Sequence, residues 1–318
     1  MHRIGFIVLP AFQIMNVAGL AAFEMANLSA AETHYDIHFL SEFGGLVRSS
    51  CGLAIETEAF GDQAFDTIIV GGISAVEMAV PTAGEIAFLQ NASKTSRRTA
   101  SICSGAFVLA EAGLLAGHRA TTHWNQAAAF RARFPDVRME EDRIFINDGS
   151  IWTSAGMTAG TDLVLAMIEK DLGPAVAKSA ARLLVMNQRR LGGQTQHSTL
   201  LDMAPKSDRI AAVLEHIGLN LRSALSVEEL ASVARLSPRQ FSRAFLAETG
   251  QSPARAVEHL RLEAARFMLE EGRHPVEVIA LEAGFADRER MRRAFVRAFG
   301  VPPQSLRRSA RARVRAIR

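Results

Sequence analysis

The feature that most constrains this chain is a change of periodicity near residue 187. Before it, short apolar runs alternate with helical stretches; from Asp208 onward every segment repeats at the helical period and no strand is evident. Ile4–Leu9, Ile37–Leu40, Thr67–Val70 and Thr99–Ile102 each read as a strand covered on both faces. Thr67–Val70 ends in Gly71-Gly72, and Thr99–Ile102 leads into Cys103-Ser104-Gly105-Ala106 and the helical stretch Phe107–Leu115. Ala120–Thr122 reads as a further short strand, Ile144–Ile146 and Ile151–Thr153 as a hairpin across Asn147-Asp148-Gly149, and Thr161–Lys170 as a helix. This alternation predicts an α/β fold, a largely parallel sheet with helices on both faces. A chain of 318 residues exceeds one compact core, so two domains are expected. They are an α/β domain over 1–186 and an all-α domain over 207–318, joined by a polar, Gly-containing linker over 187–206.

Charge divides the same way. The net charge of +3 is the sum of −4 over residues 1–206 and +7 over 207–318, where 20 Arg and no Lys face 13 Asp and Glu. An excess made wholly of Arg suits phosphates and base edges, because the guanidinium fork pairs with two acceptors at once. With only Cys51 and Cys103 there is no disulfide framework or structural zinc site, and the nine His show no metal spacing. His34 and His38, four apart, flank a predicted strand. No cofactor is expected. The start of the chain lacks the pattern of a signal peptide and no apolar run is long enough to span a bilayer, so a cytoplasmic protein without a membrane partner is expected.

The helical part repeats itself after about 50 residues. Ser226-Val227-Glu228-Glu229 has capping-box form and opens a helix with Val227, Leu230 and Val233 on one face. A turn at Ala234-Arg235-Leu236 follows, and Ser237-Pro238-Arg239-Gln240 opens a second helix with Phe241 and Phe245 inward. Arg239, Ser242 and Arg243 then point outward near its N-terminal end, the end a helix-turn-helix presents to the major groove. In the second copy, Val276, Ile279 and Ala280 mark the first helix, Ala283-Gly284-Phe285 the turn, and Asp287 the cap of the next helix. Met291, Phe295 and Phe299 form its buried stripe, Gly300 ends it, and Arg288, Glu289, Arg290 and Arg293 are left outside. Val257–Leu269 joins the two units. From Arg261-Leu262-Glu263-Ala264-Ala265-Arg266 through Ile279-Ala280, Gly284-Phe285, Phe299-Gly300 and Pro303 to Arg307, the segment 207–308 resembles the DNA-binding domain of the AraC/XylS regulators. The resemblance implies that the second helix of each unit reads adjacent major-groove segments of promoter DNA, with Arg292 a phosphate anchor. Met291 stands where that family more often has an aromatic.

In the front half, Ile102-Cys103-Ser104-Gly105-Ala106 sits where a strand turns into a helix. That placement exposes a side chain above the sheet and aims backbone amides at it, which should lower the thiol pKa. His123 could approach Cys103 as a base, and Gly71-Gly72 could supply oxyanion donors. These residues, with Thr153-Ser154-Ala155-Gly156 and the helix after it, make residues 1 to about 185 resemble the class I glutamine amidotransferase-like, PfpI/ThiJ superfamily, and Arg97-Arg98, Gly113-Leu114-Leu115 and Gly192-Gly193-Gln194 extend the likeness along the chain. The combined chain resembles the GlxA group within the AraC regulators. That resemblance implies a front domain that senses small nitrogen-containing metabolites rather than working as an enzyme, and that pairs into a homodimer. RNA polymerase is an open further partner. Catalytic relatives place a carboxylate just after the first strand, where this chain has Asn16 and no acid before Glu24. A neutral amide can bond a ligand but cannot take up a proton. The expected effector residues are Asn16, Gly71, Gly72, Cys103, Ser104, His123 and Trp124. Trp124 and Trp152 suit either a core or a pocket wall that holds a cation, with Trp152 expected in the core; Cys51 is expected as a small buried side chain. The competing reading is a cysteine-dependent amidase or hydratase fused to a DNA-binding module.

Overall fold

The apolar runs of the front half line up as the centre of one sheet. The computed structural model describes residues 1–30, 32–73, 80–186, 190, 192, 196, 203, 205–271, 274–305 and 307. Its strands are β1 His2–Ile7, β2 Tyr35–Ser41, β3 Phe43–Arg48, β4 Ala54–Ala59, β5 Thr67–Val70, β6 Arg98–Ile102, β7 Arg119–Ala120, β8 Arg138–Met139, β9 Phe145–Asp148 and β10 Ile151–Ser154. Eight of them form a sheet in the order β3-β4-β2-β1-β5-β6-β10-β9, while β7 and β8 pair separately. The six strands from β4 to β10 pair in parallel, and β3 and β9 add antiparallel edges. A parallel sheet must be covered on both faces. Ile4, Phe6, Val8 and Ile69 face a layer of α2 (Ala21–Ser29), α6 (Thr158–Leu172) and α7 (Pro174–Leu183). Ile7, Leu9, Ile68 and Val70 face the opposite layer, where Leu89 of α3 (Ala83–Thr95), Phe107 of α4 (Gly105–Glu111) and Phe130 of α5 (Ala127–Arg133) pack. A short α1 (Ile14–Ala18) follows the first strand.

The predicted strands and the hairpin are all present. Several elements were not foreseen: the β3–β4 hairpin and α1, α2, α3, α5 and α7. The helix expected over Phe107–Leu115 stops at Glu111.

Two compact units divide the chain, Met1–Gln196 and His197–Arg318. Most of the expected linker, 187–206, lies outside the described residues. Of those described, Arg190, Gly192 and Gln196 fall in the first unit and Met203, Pro205 and Lys206 in the second. Among the described residues of the second unit the elements are all helices: α8 Asp208–Leu219, α9 Val227–Val233, α10 Pro238–Thr249, α11 Pro253–Glu271, α12 Val276–Glu282 and α13 Arg288–Phe299. Its two cores share one helix. Ala256, Val257 and Leu260 of α11 join Leu230, Phe241 and Phe245, whereas Leu262, Ala265 and Leu269 join Ile279, Met291 and Phe295.

Capping follows the sequence signals. Ser237 and Gln240 complete a reciprocal box at α10, whereas at α9 only the Ser226 half is made, its hydroxyl accepting the Glu229 N–H. Asp287 accepts the Arg290 N–H to start α13, which Gly300 ends in the left-handed conformation. No helix among the described residues is long and apolar enough to cross a membrane.

Candidate ligand site and nucleic-acid interface

Cys103 stands at the turn from β6 into α4 with φ 58°, a region that costs a non-glycine residue of order 1–3 kcal/mol. The surrounding chain holds it there. Its N–H donates to Ser154 O at 3.1 Å, and its carbonyl accepts the Thr122 hydroxyl at 2.9 Å. Gly156 has φ 111°, and a Cβ there would lie 2.5 Å from Cys103 Cβ. A Cβ on Gly72 would come within 2.9 Å of the same atom. Both approaches need glycine. The Ser104 hydroxyl donates to Ile73 O at 2.9 Å and accepts the Ile73 N–H at 2.8 Å, closing β5 onto the elbow.

The thiol is therefore buried rather than displayed, at 2% exposure. Burial pushes its pKa up to about 11, against hydrogen bonds from Ser104 that act in the opposite direction. This overturns the expected lowering of the thiol pKa: desolvation of the thiolate outweighs the amides aimed at it. Cys51 is corrected too, since it is exposed, with its sulfur 3.3 Å from the Ser49 hydroxyl.

The structure brings Asn16, Gly72, Cys103 and Ser104 together. Asn16 is 1% exposed and its Nδ2 donates to Gly72 O at 2.9 Å. Its Oδ1 is buried with no hydrogen-bond partner among the described residues. The Gly71 N–H goes to Ile7 O at 3.3 Å and so is not an open oxyanion donor. His123 does not reach Cys103 as a base; its Nδ1 pairs with Asn125 Oδ1 at 2.7 Å. Trp124 is half exposed beside it, and Trp152 is core, as expected. Gly156 is a wall of the site that the motif Thr153-Ser154-Ala155-Gly156 had signalled only as a family likeness. Among the described residues no group of three His, Cys, Asp or Glu side chains could hold a metal ion.

On the helical unit the outward residues differ in how they are held. Arg239 and Arg243 on α10 and Arg293 on α13 are exposed and make no hydrogen bond or ion pair among the described residues. Ser242 is half-buried, its hydroxyl donating to Pro238 O at 2.9 Å. On α13, Arg288 pairs with Glu277 of α12 at 2.7 Å. Arg292 grips both Glu289 oxygens, at 2.8 and 2.7 Å, and Arg290 lies 3.7 Å from Asp287. Each unit thus presents a basic face on the second helix of a helix-turn-helix. The faces are not equivalent, because α13 carries its Arg partly neutralised.

Comparison with known proteins agrees with both halves. Residues 3–170 match the DJ-1/PfpI family and residues 230–309 a helix-turn-helix domain. The chain is 31% identical over 310 residues to the HTH-type transcriptional regulator GbdR of Pseudomonas aeruginosa, covering 95% of this chain and 83% of that one. It is 32% identical over 324 residues to the HTH-type transcriptional regulator GlxA of Rhizobium meliloti, covering 96% of each. The chain is also 30% identical over 175 residues to an isonitrile hydratase of Pseudomonas putida, covering 54% of this chain and 72% of the enzyme. With a flavodoxin-like DJ-1/PfpI domain followed by tandem helix-turn-helix units along nearly the full length of such relatives, the chain belongs to the family of DNA-binding HTH-type transcriptional regulators of the GlxA and GbdR type.

Proposed function

We propose that the protein is a ligand-responsive transcriptional regulator: the DJ-1/PfpI domain binds a small nitrogen-containing effector at the elbow and does not turn it over. One observation carries this reading. The elbow cysteine is held as a buried thiol with an amide, Asn16, beside it in place of an acid, while His123 pairs with Asn125 instead. A nucleophile needs a base or a lowered pKa, and among the described residues Cys103 has neither. The unpartnered Asn16 Oδ1 supports a binding role, because a buried acceptor without a donor is costly and an effector N–H would relieve it.

Further parts of the reading are that residues 1–186 form the sensor domain, that the protein pairs as a homodimer, that it acts in the cytoplasm and that promoter DNA is contacted through Arg239, Ser242, Arg243, Arg288, Glu289, Arg290, Arg292 and Arg293. The likeness to an isonitrile hydratase favours the second reading, a cysteine enzyme fused to a DNA-binding module. Turnover assays on glutamine, simple amides, isonitriles and dicarbonyl compounds, comparing the wild type with Cys103→Ala, separate the two. A thermal-shift screen of amino acids, amines and betaines is run in parallel, since a ligand of the folded state raises its stability. Metabolite-dependent stabilisation without turnover is expected. Multiple turnover abolished in Cys103→Ala would replace the sensor with the enzyme.

A further inference from the structure

Gln196 lies two residues beyond the motif Gly192-Gly193-Gln194, which the elbow chemistry leaves unexplained. Its side chain is seated on a corner made by residues 121–124 and 141–142. Nε2 donates to Glu141 O at 2.6 Å and to Thr122 O at 2.8 Å, with Thr121 Oγ1 at 3.3 Å. Oε1 accepts the Trp124 backbone N–H at 2.9 Å, and the Gln196 backbone N–H donates to Asp142 Oδ1 at 2.8 Å.

A primary carboxamide has two N–H donors on one side and a carbonyl acceptor on the other. The corner offers the complement, two carbonyl oxygens facing the amine and one N–H facing the oxygen. Other groups fit it badly. A carboxylate would set its lone pairs against the carbonyls of Thr122 and Glu141. An ammonium or guanidinium would leave the Trp124 N–H facing a group that accepts nothing.

The corner is fixed by bonds that do not involve Gln196. The Thr121 N–H donates to Thr153 Oγ1 at 2.9 Å, the Thr121 hydroxyl to Arg143 O at 3.2 Å and the Thr122 hydroxyl to Cys103 O at 2.9 Å. Thr121 and Thr122 are fully buried. Six residues earlier, Arg190 is anchored on the same unit by its N–H and Nε to the two oxygens of buried Asp162, both at 2.8 Å.

We propose that this corner is a carboxamide-binding socket, that Gln196 is its built-in ligand, and that a free primary carboxamide occupies it when the Gln196 side chain is removed. Occupancy fixes where the chain leaves the front unit, on a wall bonded directly to the Cys103 carbonyl. The proposal does not depend on the elbow being a sensor.

The test is chemical rescue in the full-length protein. Hydrogen exchange at the Trp124 amide and the thermal midpoint are followed for wild type, Gln196→Ala and Gln196→Glu, each with acetamide, acetate or methylammonium. Exchange at Trp124 should quicken about tenfold in both variants, while amides of β5 and β6 keep their protection, which reports an intact fold. Acetamide should restore Trp124 protection and raise the midpoint in Gln196→Ala; acetate and methylammonium should do neither. Unchanged Trp124 exchange in both variants would remove Gln196 from the socket. Equal rescue by acetate would remove the carboxamide specificity.

Discussion

At the scale of single residues, Cys103 and Cys51 exchange the properties their motifs suggest. Thr67–Val70 and the elbow tetrad were legible because local order fixes a strand-to-helix turn. The protonation of the thiol was not, because it is set by Gly72, more than 30 positions earlier, and Gly156, more than 50 later, which close over the sulfur only in the folded state. With its pKa pushed up to about 11, Cys103 stays almost wholly the neutral thiol at pH 7.5. Cys51 is exposed and its thiol pKa is lowered by hydrogen bonds from Ser49 and the Leu53 backbone. Iodoacetamide at pH 7.5 should therefore label Cys51 well before Cys103, with both labelled after unfolding; peptide mass mapping that finds Cys103 modified first would contradict this. The recognition helices allow a second comparison. Arg243 and Arg293 have no ion pair to break among the described residues, so each is expected to face DNA at full charge. Arg243→Ala and Arg293→Ala should each lose roughly 1–3 kcal/mol of specific binding. Arg292→Ala should weaken all sequences alike and lower the salt slope by about one. Identical losses on specific and random duplexes for Arg243→Ala would make it a phosphate contact instead.

At the scale of elements, the boundaries that carry explicit chemistry were the readable ones. Ser237-Pro238-Arg239-Gln240, Asp287 and Gly300 each sit where the helix begins or ends. The β3–β4 hairpin was hidden because Phe43 and Leu46 are exposed and Gly44-Gly45 interrupts any alternation. Helix α7 was hidden because its buried face is Ala177, Ala180 and Ala181, too small to mark a period. Gly284 lies in the turn between α12 and α13, against the Leu221 backbone between α8 and α9. It has φ 83°, and an added Cβ would meet the Leu221 carbonyl oxygen, which also accepts from Arg261 Nε at 3.0 Å. Gly284→Ala should cost more than about 2 kcal/mol, since both backbone strain and a backbone clash oppose it; a denaturation midpoint equal to wild type would show that the turn relaxes freely. In the sheet, burial lowers the His38 pKa, but hydrogen bonds and charge from Glu58 on β4 and Asp36 on β2 outweigh it and the net shift is upward. The folded state thus holds this proton more tightly than the unfolded chain. The resulting stabilisation is full below the unfolded value near 6.5 and fades as pH rises through the folded value. Urea midpoints should fall from pH 6 towards pH 8 more steeply in wild type than in His38→Gln; parallel slopes would assign the fall to other groups.

At the scale of the whole molecule, charge and fold divide at the same place, −4 over the first 206 residues and +7 over the rest. The acidic α/β half has little attraction for a phosphate backbone, so nearly all of the electrostatic affinity must come from the helical half. That half holds the second helices of the two helix-turn-helix units, α10 and α13, connected through the single helix α11, whose two ends belong to the two cores. A continuous helix makes independent reorientation of the units costly. One helical unit should therefore read two adjacent major-groove segments about one turn, roughly 34 Å, apart. If the front domains pair, as we propose, a dimer brings two such readers to one promoter and raises avidity through effective concentration. The full-length chain should then protect two such double segments, while the monomeric state should protect one. Footprinting across a concentration series, with sedimentation at the same concentrations, checks this. The second protected segment should appear together with the dimer. A full double footprint from a chain that sediments as a monomer would break the link, and protection of only one groove per protomer would mean that α10 and α13 do not read DNA together.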